Sequence, residues 1–135
     1  MNIIVIMKAM ADETRLRILN LLQDQELNVN ELVIILEMGQ SRISRHLKIL
    51  ADSGLVTSRR DGLWVFYSIN ENEVLQPFLG QTFPLLQTIP EAEEDQKRKE
   101  FVLTQRNKET RRLFDSLAKN WKHIKAELYG DLDVV

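Results

Sequence analysis

The sequence predicts a mainly α fold with a small β-hairpin wing (α+β): a winged helix-turn-helix plus a C-terminal helical arm. Three observations carry this. Residues 38–54 read as an amphipathic helix with one aliphatic and one cationic face. A short apolar helix precedes it across a tight connection. Two runs of β-branched and aromatic residues follow it, joined by Asp61 and Gly62, a strong two-residue hairpin signal.

The reader helix comes first because the rest is organised around it. At about 100° per residue, Ile43, Leu47 and Leu50 fall on one side. Ser41, Arg45 and Lys48 fall on the other, flanked by Arg42 and Ser44. Cations on a rigid rod neutralise phosphates, and short polar groups reach base edges or backbone oxygens. Gly54 is placed to stop this helix. Gly39 stands at its start; it is an acceptable N-cap but has no side-chain acceptor, which leaves the first-turn amides open to a phosphate. His46 sits at the edge of the aliphatic face, where an imidazole satisfied by backbone or phosphate is expected rather than a metal ligand, since no second His is near.

The other elements follow in order. Residues 3–10 are apolar, and periodicity alone fits a helix or a strand. Asp12 is expected to cap a core helix running to about Gln23, with Leu16, Leu19 and Leu22 in one stripe and Ile18 beside them. Arg15 and Arg17 are expected on its solvent side, and residues 23–26 form a loop. Val29–Leu36 is the short helix before the reader, capped by Asn28 or Asn30. Glu37, Met38 and Gly39 connect it to the reader, as in a helix-turn-helix. Residues 55–60 and 63–69 are the hairpin strands. Arg59 and Arg60 stand beside its tip, within reach of phosphates next to the groove.

Past the hairpin, Asn70 and Glu73 have the spacing of a capping box. The segment from Leu75 to Ile89 is strongly apolar, with Phe78, Leu79, Phe83, Leu85 and Leu86. Pro77 suits a first turn, whereas Gly80 and Pro84 predict a kink or break near Thr82 and Phe83. Pro90 and the acidic residues 91–95 open another helix, whose dipole they complement. Its pattern continues to Tyr129, where Gly130 can close it. Leu113, Phe114, Leu117, Trp121, Ile124 and Leu128 form its apolar stripe, so it is either a coiled-coil-like arm or a helix bent back on the domain. The last residues, 131–135, read as loose. The expected division is residues 1–90, the DNA-binding and dimerisation domain, and residues 91–135, the arm.

Composition bounds the function. The chain of 135 residues is 44% hydrophobic, enough for a core. It has no Cys, so it offers no disulfide, thiolate ligand or thiol nucleophile. Residues 1–7 are apolar but lack a basic leader and a cleavage site, and no stretch is long enough to span a bilayer; a soluble, cytoplasmic protein is expected. The net charge of −2 opposes indiscriminate nucleic-acid binding. Between residues 38 and 62, however, Arg42, Arg45, Lys48, Arg59 and Arg60 outnumber Asp52 and Asp61, five against two, for a local +3.

The sequence resembles the ArsR/SmtB-type winged-helix transcriptional repressors over about residues 1–80. The resemblance is carried by Ala11-Asp12-Glu13-Thr14-Arg15-Leu16-Arg17-Ile18-Leu19, by Ser44-Arg45-His46-Leu47-Lys48-Ile49-Leu50, by Gly54-Leu55-Val56, and by Arg60-Asp61-Gly62 with Tyr67. It implies that residues 3–10 are a helix in a dimer interface, paired across a two-fold axis with the helix after the wing. Soft-metal sensors of that family carry Cys pairs where the resemblance places Asn28 and Asn30 of this chain, and amides are poor soft-metal ligands. Its zinc sensors place Asp and His on the helix after the wing, which here has Glu71 and Glu73 and no His; the only imidazoles are His46 and His123. No metal site and no cofactor are expected.

The expected function is a sequence-specific DNA-binding repressor. It acts as a homodimer on double-stranded DNA at an inverted-repeat operator, and is not an enzyme. Ser41, Arg42, Ser44 and Arg45 are the candidates for base-edge and nearby contacts. Gln40, Lys48, Arg59 and Arg60 are candidate phosphate anchors, and His46 belongs to the same DNA-binding set. The resemblance leaves room for a small-molecule effector of unidentified chemistry; no membrane partner is expected. Two alternatives stand. One is the targeting module of a regulator–methyltransferase fusion, since residues 111–118 with Trp121 resemble the linker of such fusions. No Gly-x-Gly-x-x-Gly loop occurs, so the chain itself would lack that activity. The other is a protein-interaction module without DNA affinity.

Overall fold

The computed structural model describes the backbone of residues 2–129 and the side chains of residues 2–110 and 112. The element order is α1 (Ile3–Met10), α2 (Glu13–Leu21), β1 (Leu27–Asn28), α3 (Val29–Leu36), α4 (Gln40–Asp52), β2 (Val56–Asp61), β3 (Trp64–Ile69), α5 (Leu75–Leu86) and α6 (Ala92–Tyr129). Two compact units are distinguished, Met1–Glu100 and Phe101–Val135. The first extends ten residues past the expected boundary at residue 90. The stripe Leu113, Phe114, Leu117, Trp121, Ile124 and Leu128, the linker-like residues 111–118 and His123 lie outside the described side chains, as does Gly130.

Local chemistry sets most helix ends. Asn2 and Asp12 cap α1 and α2, accepting from the amides of Ile4 and Arg15. Asn28, not Asn30, caps α3. It accepts from Glu31 N at 2.9 Å while Glu31 Oε1 accepts from Asn28 N at 2.9 Å, a complete capping box. The spacing explains the choice, because a cap at Asn30 would find Val33 three residues on.

The core lies under the helix-turn-helix. Ile18, Leu19, Leu32, Ile35, Ile43, Leu47, Leu50 and Leu55 are fully buried; Leu16, expected among them, is half-buried. Burying each such side chain stabilises the fold by about 1.5–3 kcal/mol. Ile6 faces inward too, while Ile3, Ile4, Val5 and Met7 of α1 stay exposed.

Several expectations need correction. Arg15 and Arg17 are not on the solvent side. Arg17 donates from Nε and Nη2 to the Asp95 carboxylate, both at 2.8 Å, and Arg15 Nε donates to the Ala9 carbonyl at 2.6 Å. Asp95 is fully buried and also accepts from Arg98 at 3.2 Å, so the acidic start of α6 does more than complement a dipole. Lys99 is buried against Asp24 at 2.6 Å, and Arg98 Nε donates to the Ile35 carbonyl at 2.6 Å. These pairs tie residues 95–99 to α3, to α2 and to the loop after it.

The second correction is the sheet, which has three strands in the order β1-β3-β2 rather than two. Leu27 and Asn28 pair with Tyr67 and Phe66. A two-residue strand is too short to show a period of two. Third, the hairpin loop is Gly62 and Leu63, because Asp61 pairs with Trp64. Gly62 has φ +62°, and a turn of type II′ takes Gly at this first loop position. Fourth, there is no capping box from Asn70. Asn72 Oδ1 accepts from Val74 N at 2.9 Å, and Asn70 instead donates from Nδ2 to the Gly54 carbonyl at 2.8 Å. The following helix also runs unbroken through Pro84, two residues before its end. There the missing amide deprives only the exposed Gly80 of its partner.

Candidate nucleic-acid interface

The candidate interface is built on α4. Ile43, Leu47 and Leu50 are wholly buried and fix the roll of the helix about its axis. Gln40, Ser41, Arg42, Ser44, Arg45 and Lys48 are consequently exposed together. Lys48 Nζ donates to Asp52 at 3.2 Å, one turn on, but both groups are mostly solvated. Such a pair contributes less than about 1 kcal/mol and yields readily to a phosphate. Arg42 and Arg45 have no carboxylate partner among the described residues.

Both ends of α4 are set by backbone chemistry. At the start, Gly39 is an extended N-cap with no side-chain hydrogen bond to the helix. The first-turn amides lack a side-chain cap, and Gln40 and Ser41 beside them are exposed, a suitable place for an anion. At the end, Gly54 adopts φ +87°. Leu55 N donates to the Leu50 carbonyl and Gly54 N to the Ala51 carbonyl, both at 3.1 Å. These are the two bonds of a Schellman motif. The chain then leaves directly into β2, so the motif sets where the wing stands relative to the helix.

The connection before α4 is equally specific. Glu37 adopts φ 56°, the left-handed region that costs most residues about 1–2 kcal/mol. It ends α3 there, with its N–H on the Val33 carbonyl at 2.9 Å. Thr14 Oγ1 approaches Met38 Sδ at 3.9 Å from α2, which helps to seat the turn.

His46, expected in the DNA-binding set, is a correction. It is buried at 6% exposure and turned away from the Arg45 and Lys48 face. Its Nδ1 lies 3.2 Å from Arg15 Nη1 and 4.0 Å from Asp12 Oδ1. Arginine only donates, so Nδ1 accepts and the imidazole is the neutral Nε2–H tautomer. Burial holds its pKa below the ordinary 6.5, with Arg15, Arg45 and Arg42 adding to this and Asp12 opposing it. His46 thus positions the helix. Arg15, which sequence reasoning missed, joins it to the C-terminal carbonyls of α1.

The wing carries the remaining cations. Arg60 is exposed and has no carboxylate partner among the described residues. Arg59 is different: Glu26 holds it by Nε at 3.2 Å and also by Nη2, and its guanidinium lies 5.2 Å from the centre of the Phe66 ring. Phe66 is its cross-strand neighbour, a pairing that follows from the Gly62 and Leu63 loop. Glu26 was not foreseeable, since it stands 33 positions away in sequence.

Among the described residues no group of three or more His, Asp or Glu could hold a metal ion. Asn28 is committed to its capping box. No helix of the described residues is long and apolar enough to cross a membrane.

Residues 12–58 match the family model described as bacterial regulatory protein, arsR family. The chain is 48% identical over 71 residues to the transcriptional activator HlyU of Vibrio cholerae, an alignment covering 53% of this chain and 66% of that protein. It is 44% identical over 68 residues to the arsenical resistance operon repressor of Bacillus subtilis, covering 50% of this chain and 65% of that one. It therefore spans about two thirds of these relatives' length. The solved structure of reduced HlyU from Vibrio cholerae superposes with a TM-score of 0.55 at 40% identity, covering 61% of this chain and 85% of that one.

Proposed function

Because this chain belongs to the arsR family of bacterial regulatory proteins, we propose that it is a DNA-binding transcriptional regulator whose α4 enters the major groove. The observation that carries this reading is the exposed face of α4. Gln40, Ser41, Arg42, Ser44, Arg45 and Lys48 stand exposed together on it, uncovered by any element of the described residues, while the opposite face is locked into the core. In this reading Ser41, Arg42, Ser44 and Arg45 meet base edges. Gln40, Lys48 and Arg60 meet phosphates.

We further infer a cytoplasmic homodimer on an inverted-repeat operator. The exposed Ile3, Ile4 and Met7 of α1 support a second copy, since soluble monomers seldom leave such patches bare. A two-fold dimer reads a two-fold site. Repression by occluding a promoter is the simplest outcome. One relative bears the name of an activator and another that of a repressor, so the sign of regulation depends on where the operator lies. The fusion reading rests on residues outside the described side chains and has no support among the comparisons.

The test is an anisotropy titration of labelled random-sequence duplexes at several salt concentrations. The reading predicts binding that weakens steeply as salt rises, because each neutralised phosphate adds about 0.9 to the log–log slope. No binding at low salt would favour the protein-interaction alternative.

A further inference from the structure

Arg59 lies at the wing, where a phosphate anchor is expected, yet all three of its guanidinium nitrogens face carboxylates. Nε and Nη2 donate to the two oxygens of Glu26, and Nη1 lies 3.7 Å from Asp61. The Phe66 ring closes one face of the guanidinium. Glu26 does not belong to the wing: it sits in the loop between α2 and β1, on the body of the domain. The Glu26 side chain is 32% exposed and that of Arg59 53%, so solvent screens the pair and it is the two-oxygen geometry that holds it. Arg60, the next residue on β2, alternates to the other face of the strand and stays without such a partner among the described residues.

We propose that Glu26 is an intramolecular competitor for DNA, which occupies Arg59 and withholds it from the phosphate backbone, leaving Arg60 as the working cation of the wing. The proposal rests on the DNA-binding reading above. A carboxylate and a phosphate present the same paired oxygens to a guanidinium, so the two exclude one another. Glu26 is tethered and always present, whereas a phosphate must be brought by encounter. With Glu26 counted, the wing is neutral: Arg59 and Arg60 balance Glu26 and Asp61. Sequence-independent attraction is thereby reduced, and discrimination falls to the α4 face. A wing with two free arginines would hold any duplex more tightly and read none of them better.

The experiment uses the full chain and labelled 30-base-pair duplexes of random sequence, titrated across salt. Glu26→Gln keeps the shape of the side chain and removes its charge; Glu26→Ala serves as a second variant, with thermal melting to check the fold of each. In a dimer either variant should gain two phosphate contacts, steepening the slope by about 1.8 units and tightening low-salt binding on the order of tenfold. Arg59→Ala alone should leave slope and affinity within about twofold. In the Arg59→Ala background, Glu26→Gln should gain nothing. An equal gain in that background would show that only a repelling charge was removed, and would overturn the proposal. A flatter slope for Arg59→Ala in the unaltered chain would overturn it as well. Arg60→Ala and Lys48→Ala separate the two levels of argument. If both flatten the slope while Glu26→Gln changes nothing, DNA binding stands and the competitor role fails; if neither changes binding, the DNA-binding reading fails first.

Discussion

Arg45 and Lys48 share the exposed face of α4 but differ in what they can recognise. A guanidinium can bind the two acceptors of a guanine edge together, whereas an ammonium acts as a point charge. Arg45→Ala is therefore expected to cost about 1–3 kcal/mol on the preferred operator and much less on random duplexes. Lys48→Ala should weaken both alike, as competition titrations would measure. His46 gives a second residue-scale prediction. Its folded pKa is depressed, so between pH 6.5 and that lower value the unfolded chain binds the extra proton, and stability falls as pH falls through this window. The groups facing it are Asp12, Arg15, Arg42 and Arg45. His46→Gln should lose part of this acid sensitivity, so the difference in stability between pH 7 and pH 5.5 shrinks in denaturant titrations. An unchanged difference would place the sensitivity elsewhere.

The elements show what was legible in the sequence and what was not. Helix starts were readable because Asp12 and Asn28 accept from amides three residues on, and the end of α4 because Gly54 acts within one turn. Gly54→Ala tests the last of these. At φ +87° a Cβ should cost about 1–2 kcal/mol, with the thermal midpoint falling accordingly. The α4 face was equally readable, since it depends only on the helical period. What stayed hidden is pairing across the chain. Arg17 meets Asp95 at a separation of 78 residues, Arg15 meets His46 at 31, and Arg59 meets Glu26 at 33. Each arginine on an otherwise polar face reads as solvated until its partner is known. Likewise β1 is too short to carry a pattern, and the one-residue shift of the hairpin loop depends on which residue of the Asp61, Gly62 and Leu63 run takes the first loop position.

At the scale of the molecule, the account depends on two reader helices acting together. The exposed Ile3, Ile4 and Met7 border a shallow apolar depression with Lys8 and Ala11. If this face joins two copies, Ile4→Glu should shift the protein toward monomer in light scattering at micromolar concentration without lowering its helix content, because Ile4 is 61% exposed in the single chain. A dimer of unchanged strength would move the interface away from α1. The central claim, that α4 reads a two-fold DNA site, is tested most directly by selecting bound duplexes from a random library and sequencing the pool. The account predicts an imperfect inverted repeat whose half-sites lie about one helical turn apart, roughly 34–36 Å, and whose enrichment is lost with Arg45→Ala. A pool without enrichment, or one enriched equally by Arg45→Ala, would contradict it.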